Sequence, residues 1–119
     1  MLDNGYATIC KAGPGAFSVN GHACPGEIVL VFSGEADVTA APLLAHALSR
    51  ASSYGNTRVS VDLADLEFID THCLAIIFGA YDELRARGAD LVLRSPRPQV
   101  RRLLDILQRQ DLIESPRAR

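Results

Sequence analysis

No apolar run in this 119-residue sequence approaches the ~20 residues that a helix needs to cross a bilayer, so no membrane-spanning helix is expected. The opening residues, MLDNGYATICKAG, lack the charged-then-apolar pattern of a secretory signal, and the expectation is a cytoplasmic protein. Cysteine is scarce and scattered: Cys10, Cys24 and Cys73 form no C-x-x-C pair, which points to free, buried thiols. His22-Ala23-Cys24 and His72-Cys73 fit no standard zinc spacing, so no metal is expected. Also missing are a G-x-x-x-x-G-K-[ST] phosphate loop, a G-x-G-x-x-G after a strand, a G-x-S-x-G elbow and an H-E-x-x-H pair. Asp37, Asp70 and His72 could be arranged as an acid–base set, but nothing supplies an oxyanion hole or a cofactor site. The reading is a non-enzymatic protein without a cofactor.

What is present describes one ordinary globular domain. Hydrophobic residues make up 48% of the chain and charged ones 22%, and a chain of this length can bury roughly two thirds of its unfolded surface. The net charge of −2 argues against a nucleic-acid partner. The charge is unevenly placed. Residues 27–90 hold ten acids against four arginines, whereas residues 91–119 hold seven arginines against three acids. An acidic body of this kind can steer a basic protein surface, and solvated faces that happen to segregate would look the same.

Along the chain, Tyr6–Lys11 reads as a first strand and Ala16–Val19 as a short partner, with Asn20-Gly21 as the turn signal and Gly21–Gly26 as loop. Glu27–Ser33 is a continuous apolar run of β-branched and aromatic residues, a central buried strand bounded by Gly34. Asp37 or Thr39 can cap the next helix, with Pro42 in its first turn and Leu43, Leu44, Ala47 and Leu48 as its stripe. Tyr54-Gly55-Asn56 turns into a strand over Thr57–Leu63, where Val59, Val61 and Leu63 alternate. From Leu74 the residues Leu74, Ile77, Phe78, Tyr81 and Leu84 share one helical face, and Gly88 closes that helix. Between the two, Phe68–Cys73 reads as a tight connection in which Asp70 or Thr71 can cap the helix start. Ala89–Arg94 is the last clear strand. Ser95-Pro96-Arg97-Pro98 leads into a helix whose stripe is Val100, Leu103, Leu104 and Leu107, with Arg97, Arg101, Arg102 and Arg109 in solvent. Asp111–Ile113 reads as a last short turn and Ser115–Arg119 as a frayed tail.

Strand-then-helix units in series argue an α/β fold with a mixed sheet. Short connections at the C-terminal strand ends would bring Gly34–Asp37 beside Asp70–Cys73, the edge where α/β proteins bind ligands and partners. Both loops carry acids, so Glu35, Asp37, Thr39, Asp70, Thr71, His72 and Cys73 are the candidate partner-binding residues.

Three segments, LVFSGEADVTAAPLLAHAL, VSVDLADLEFIDTHCLAIIFGAYDELRARG and LVLRSPRPQVRRLLDILQRQDLI, together resemble the STAS domain family, the fold of bacterial anti-sigma factor antagonists. They look like that family's strand with a G-E-x-D turn, its F-[IM]-D-[ST]-[ST]-G-L segment with the central helix, and its final strand and helix. The likeness runs from about Glu27 to Ile113, with residues 1–26 matching loosely. It implies a single STAS-type α/β domain over residues 1–119, with a mixed central sheet of four to five strands and about four helices. It also implies binding to an anti-sigma factor of the serine kinase type, which releases a sigma factor and so regulates transcription. In the family that kinase phosphorylates a hydroxyl at the start of the central helix, which ends binding, and a phosphatase restores it. Neither nucleic acid nor membrane is an implied partner. In this chain the motif reads Asp70-Thr71-His72-Cys73, so Thr71 is the phosphorylation candidate, while His72 takes the second hydroxyl's place and Cys73 the glycine's. If the switch is lost, the alternative is a STAS-type sensor or scaffold that binds a small molecule or nucleotide without phosphorylation.

Overall fold

The computed structural model describes residues 9–10, 16–54 and 58–114, the first pair as backbone. In chain order the elements are β1 (Ile9–Cys10), β2 (Ser18–Cys24), β3 (Glu27–Ala36), α1 (Ala41–Ser52), β4 (Arg58–Ile69), α2 (Thr71–Ala86), β5 (Leu91–Arg94) and α3 (Pro98–Ile106). Two 3-10 turns, Val38–Ala40 and Gln110–Leu112, complete the helical content. The mixed α/β expectation holds, with three α-helices among the described residues where about four were expected. One sheet runs β1-β2-β3-β4-β5. The β1–β2 and β2–β3 pairs are antiparallel, and the β3–β4 and β4–β5 pairs are parallel.

The hairpin differs from its sequence reading. The Asn20-Gly21 signal is not a turn: β2 runs through it, and the chain reverses at Pro25-Gly26, where Cys24 pairs with Glu27. Proline fixes φ at the first turn position and Gly26 adopts φ +78° at the second, the combination a type II turn requires. Asn20, His22 and Cys24 then alternate outward along β2, which leaves Cys24 exposed rather than buried as expected. Gly55 and Asn56 of the expected Tyr54-Gly55-Asn56 turn, Thr57 of the strand after it, the tail at 115–119 and most of the Tyr6–Lys11 strand lie outside the described residues.

Strands β3 and β4 both run beyond their expected ends, Ser33 and Leu63. Their pairing advances from Val31–Asp62 to Ser33–Asp65, then from Gly34–Leu66 to Glu35–Phe68, so β4 carries one extra residue at each of two bulges. Gly34, at φ +87°, supplies the backbone freedom that the second irregularity needs. Two bulges change the buried spacing along β4 from two residues (Val59, Val61, Leu63) to three (Leu63, Leu66, Ile69).

One face of the sheet carries the core: Val19, Ile28, Leu30, Phe32, Val59, Val61, Leu63, Leu91 and Leu93, all nearly or fully buried. Helix α1 buries Leu44, Ala47, Leu48 and Ala51, with Leu43 half-buried. Helix α2 buries Cys73, Leu74, Ile77 and Leu84. Phe78 and Tyr81 are half-buried, and the guanidinium carbon of Arg109 lies 4.5 Å from the Phe78 ring centroid and 5.6 Å from that of Tyr81. Arg109 is therefore not the free surface cation the sequence suggested, but a lid on the aromatic part of the stripe.

Polar residues on the alternate strand positions form a cross-link. Arg94 donates to Glu27 at 2.9 Å and to Glu114 at 2.8 Å, Arg58 donates to Glu114 at 3.0 Å, and buried Ser60 donates to Glu27. The N–H of Glu114 also bonds the carbonyl of Leu93 at 2.8 Å, next to an isolated bridge between Leu93 and Ile113. The segment after α3 is thereby laid along the outer side of β5.

Helix α3 buries Val100 and Leu104 and half-buries Leu103. Its start is held to the outer half of β4 by Arg97 Nε on the carbonyl of Ala64 and Gln99 Nε2 on that of Glu67. Leu107 does not complete the stripe: the helix stops at Ile106, Gln108 turns left-handed at φ +60°, and Leu107 is 37% exposed. The packing assigns α3 a structural inner face and an open outer one. Leu104→Ala should lower the unfolding free energy by about 2–5 kcal/mol in urea denaturation, as for other buried leucines; an unchanged midpoint would show that this residue does not belong to the core.

Candidate functional site

Strands β3 and β4 end level with one another. Ala36 and Ile69 are cross-strand partners, and the N–H of Asp70 bonds the carbonyl of Ala36 at 3.0 Å. The next residue of each chain segment is an aspartate, and each aspartate caps the helical turn after it. Asp37 Oδ1 accepts the Thr39 N–H at 3.0 Å and the Thr39 hydroxyl at 2.6 Å, ahead of the 3-10 turn that leads into α1. Asp70 Oδ1 accepts the Cys73 N–H at 2.8 Å at the start of α2. Both aspartates keep an extended backbone, which lets a short carboxylate reach an N–H two or three residues on.

Of the two capping candidates in the central stretch, Asp70 is the cap, and Thr71 is the first residue inside the helix. The distinction matters chemically. Thr71 is exposed, and its hydroxyl is not required to end the helix. The N–H groups of Thr71 and His72 are among the first-turn donors without acceptors four residues back, so the surface around the hydroxyl favours negative charge.

Cys73 joins the two loops. Its side chain is fully buried, and Sγ donates to the carbonyl of Asp37 at 3.3 Å. Burial, followed by the Asp70 and Asp37 carboxylates, pushes its thiol up to about 12, so it stays protonated at neutral pH. Cys73 occupies an ordinary right-handed helical position, which is why glycine's freedom is not needed there. Being buried, it cannot lie on the contact surface where the sequence reading had placed it.

The other candidates are brought together as expected. Glu35, Asp37, Thr39, Thr71 and His72 are exposed, and Asp70 is half-buried. The Thr39 hydroxyl holds the Asp37 carboxyl below the usual carboxylate range, so Asp37 is ionised at neutral pH. Among the described residues no basic side chain forms a salt bridge with Glu35, Asp37 or Asp70. The result is an uncompensated acidic patch wrapped around a free hydroxyl.

Two apolar residues at this end escaped the sequence reading. Val38 is 62% exposed between the two members of the first cap, and Phe68 is 47% exposed beside Glu35, its cross-strand partner. Periodicity gives no sign of them, because Val38 lies in a 3-10 turn and Phe68 comes after a bulge. Among the described residues no group of three or more His, Cys, Asp or Glu side chains could hold a metal ion, and Cys24 and Cys73 stand at opposite ends of β3. No helix of the described residues is long and apolar enough to cross a membrane.

This arrangement has relatives. The chain is 30% identical over 87 residues to the anti-sigma-B factor antagonist of Listeria monocytogenes, an alignment covering 73% of this chain and 76% of that protein, and the Listeria innocua protein of the same name matches equally. Its fold is shared with an anti-sigma factor antagonist from Mycobacterium paratuberculosis, at a TM-score of 0.75 and 21% identity over 91% of this chain and 92% of that one. The anti-sigma factor antagonist SpoIIAA in its unphosphorylated form superposes with a TM-score of 0.71 and 22% identity, covering 83% of this chain and 86% of that one. The Bacillus SpoIIAA in its phosphorylated form gives 0.66 and 21%, covering 83% and 89%. The STAS domain family model matches residues 19–118, and the chain therefore belongs to the STAS domain family.

Proposed function

We propose that this protein is an anti-sigma factor antagonist that binds an anti-sigma factor of the serine kinase type and is released from it when Thr71 is phosphorylated. One observation carries the reading: an exposed hydroxyl at the first residue of α2, capped by a neighbouring aspartate and set beside a second aspartate cap on the next strand end. The names of the Listeria relatives support the role, and the phosphorylated form known for SpoIIAA supports the switch.

The contact surface is formed by Glu35, Asp37, Thr39, Asp70, Thr71 and His72. Its unpaired carboxylates attract a basic partner face and raise the encounter rate. Phosphorylation adds about −1.5 to −2 charges at the centre of that surface. The first turn of α2 stabilises the phosphate locally, so the modified chain stays folded. A partner surface that closes over a neutral hydroxyl must instead desolvate a dianion, and the complex separates. A phosphatase that removes the group restores binding, and no catalysis by this chain is involved.

The division between cap and acceptor makes distinct predictions. Asp70→Ala should lower stability by about 0.5–2 kcal/mol through loss of the cap. Thr71→Ala should stay within about 0.5 kcal/mol of the parent, bind the kinase whether or not ATP is present, and take up no phosphate. Thr71→Glu should abolish binding while the fold is kept. Incubation with ATP and the anti-sigma factor kinase captured by the tagged chain, followed by mass spectrometry of the Val59–Arg85 tryptic peptide, should place one phosphate on Thr71; an unmodified peptide would remove the switch. Asp37→Arg should weaken kinase binding chiefly by slowing association in surface plasmon resonance, and an unchanged rate would remove the acidic patch from the contact surface.

A further inference from the structure

Only four large hydrophobic side chains among the described residues are exposed: Val38, Phe68, Ile106 and Leu107. Phe68 and Ile106 line one groove of about 300 Å³ between the outer end of β4 and α3, together with Ile69, Val100, Arg102 and Leu103. Ile106 is the most exposed of the four at 68%, on a helix whose opposite side is pinned into the core by Val100 and Leu104. Gln99, which also lines the groove, ties α3 to β4 by donating to the carbonyl of Glu67 at 3.0 Å. Its volume lies at the bottom of the ~300–1,000 Å³ range of ligand pockets and leaves room for an inserted apolar side chain.

The groove is continuous with the acidic patch. Phe68 is the cross-strand partner of Glu35 and stands two residues before Asp70, so the apolar floor begins where the carboxylates end. On the helix side, exposed Arg102 lines the groove and enters no salt bridge among the described residues. The surface thus reads acid, then apolar, then base across one end of the molecule.

We infer that α3 and Phe68 form a second half of the kinase-binding surface, which takes an amphipathic element of the same partner. That element inserts an apolar side chain between Phe68 and Ile106, sets acidic residues against Arg102, and leaves the partner's basic residues to Asp37 and Glu35. The order of charges fixes the direction in which the partner lies across the chain, and the apolar contact slows its dissociation. The inference rests on the proposed binding of an anti-sigma factor and extends the site from the phosphorylatable start of α2 to the outer face of α3.

The test measures binding of the purified anti-sigma factor kinase captured by the chain to four variants, Asp37→Arg, Ile106→Glu, Phe68→Ser and Arg102→Glu, each checked for an unchanged thermal midpoint. Ile106→Glu and Phe68→Ser should each weaken binding roughly tenfold or more, as truncation of a central apolar contact does, and mainly raise the dissociation rate. Arg102→Glu should weaken it less and reduce its dependence on salt. If Phe68→Ser loses thermal stability, Ile106→Glu alone decides, since its side chain lies in solvent. Weakening by Asp37→Arg with native affinity in the other three would overturn the groove and leave the acidic patch standing. Native kinase affinity in Ile106→Glu, together with loss of self-association in light scattering, would overturn it in favour of a second copy of this chain. Native affinity in all four, or capture of no such kinase, would overturn the reading of function and this inference with it.

Discussion

The parallel pairing of β3 with β4, carried to the last residue of each strand, sets the position of everything else at the candidate site. Ala36 lies against Ile69, and the Ala36 carbonyl takes the Asp70 N–H. Were the pairing to stop at Ser33 and Leu63, as the apolar pattern suggests, the two connections would be long loops of independent geometry. Instead the strands deliver two aspartates side by side, each already in the extended conformation that a cap needs. The two bulges in β4 are part of this device, because they let a twelve-residue strand stay in register with one of ten.

From that constraint the electrostatics follow. Two helix starts placed together present two sets of unpaired N–H groups, each met in part by its own aspartate, and the Thr39 hydroxyl keeps exposed Asp37 ionised. Cys73 then closes the space between the loops from inside: its protonated thiol bonds the Asp37 carbonyl and contributes no charge of its own. The same residue type, exposed on β2 as Cys24, has no such role. Position in the fold, rather than side-chain chemistry, separates the two.

Much of this was legible in the residues. The strand–helix alternation, the stripes of α1 and α2, the Gly88 stop and the meeting of Gly34–Asp37 with Asp70–Cys73 all arise from local pattern, because period and capping chemistry act over a few residues. The misreadings come where tertiary pairing overrides local signals. Asn20-Gly21 has the composition of a turn, but seven consecutive pairings with β3 hold β2 straight through it. Leu63, Leu66 and Ile69 have the spacing of a helix or loop, yet bulges keep them in a strand. Arg109 reads as a solvated cation because nothing near it in sequence shows that two aromatic rings of α2 lie beneath it. Whether Asp70 or Thr71 caps α2 depends on a one-residue difference in where the helix begins, a scale at which sequence patterns carry little information.

The clasp that Ile113 and Glu114 lay along β5 has a consequence for how this molecule can be recognised. A four-residue outermost parallel strand would ordinarily offer its free backbone groups to any extended peptide that could extend the sheet. Here the Leu93 carbonyl is already occupied by the Glu114 N–H, and the Glu114 carboxylate is anchored by Arg58 and Arg94. Strand addition at this edge is therefore blocked by the chain itself. Anything approaching from this side meets the Ile113–Glu114 segment and its ion pairs rather than an open carbonyl at Leu93.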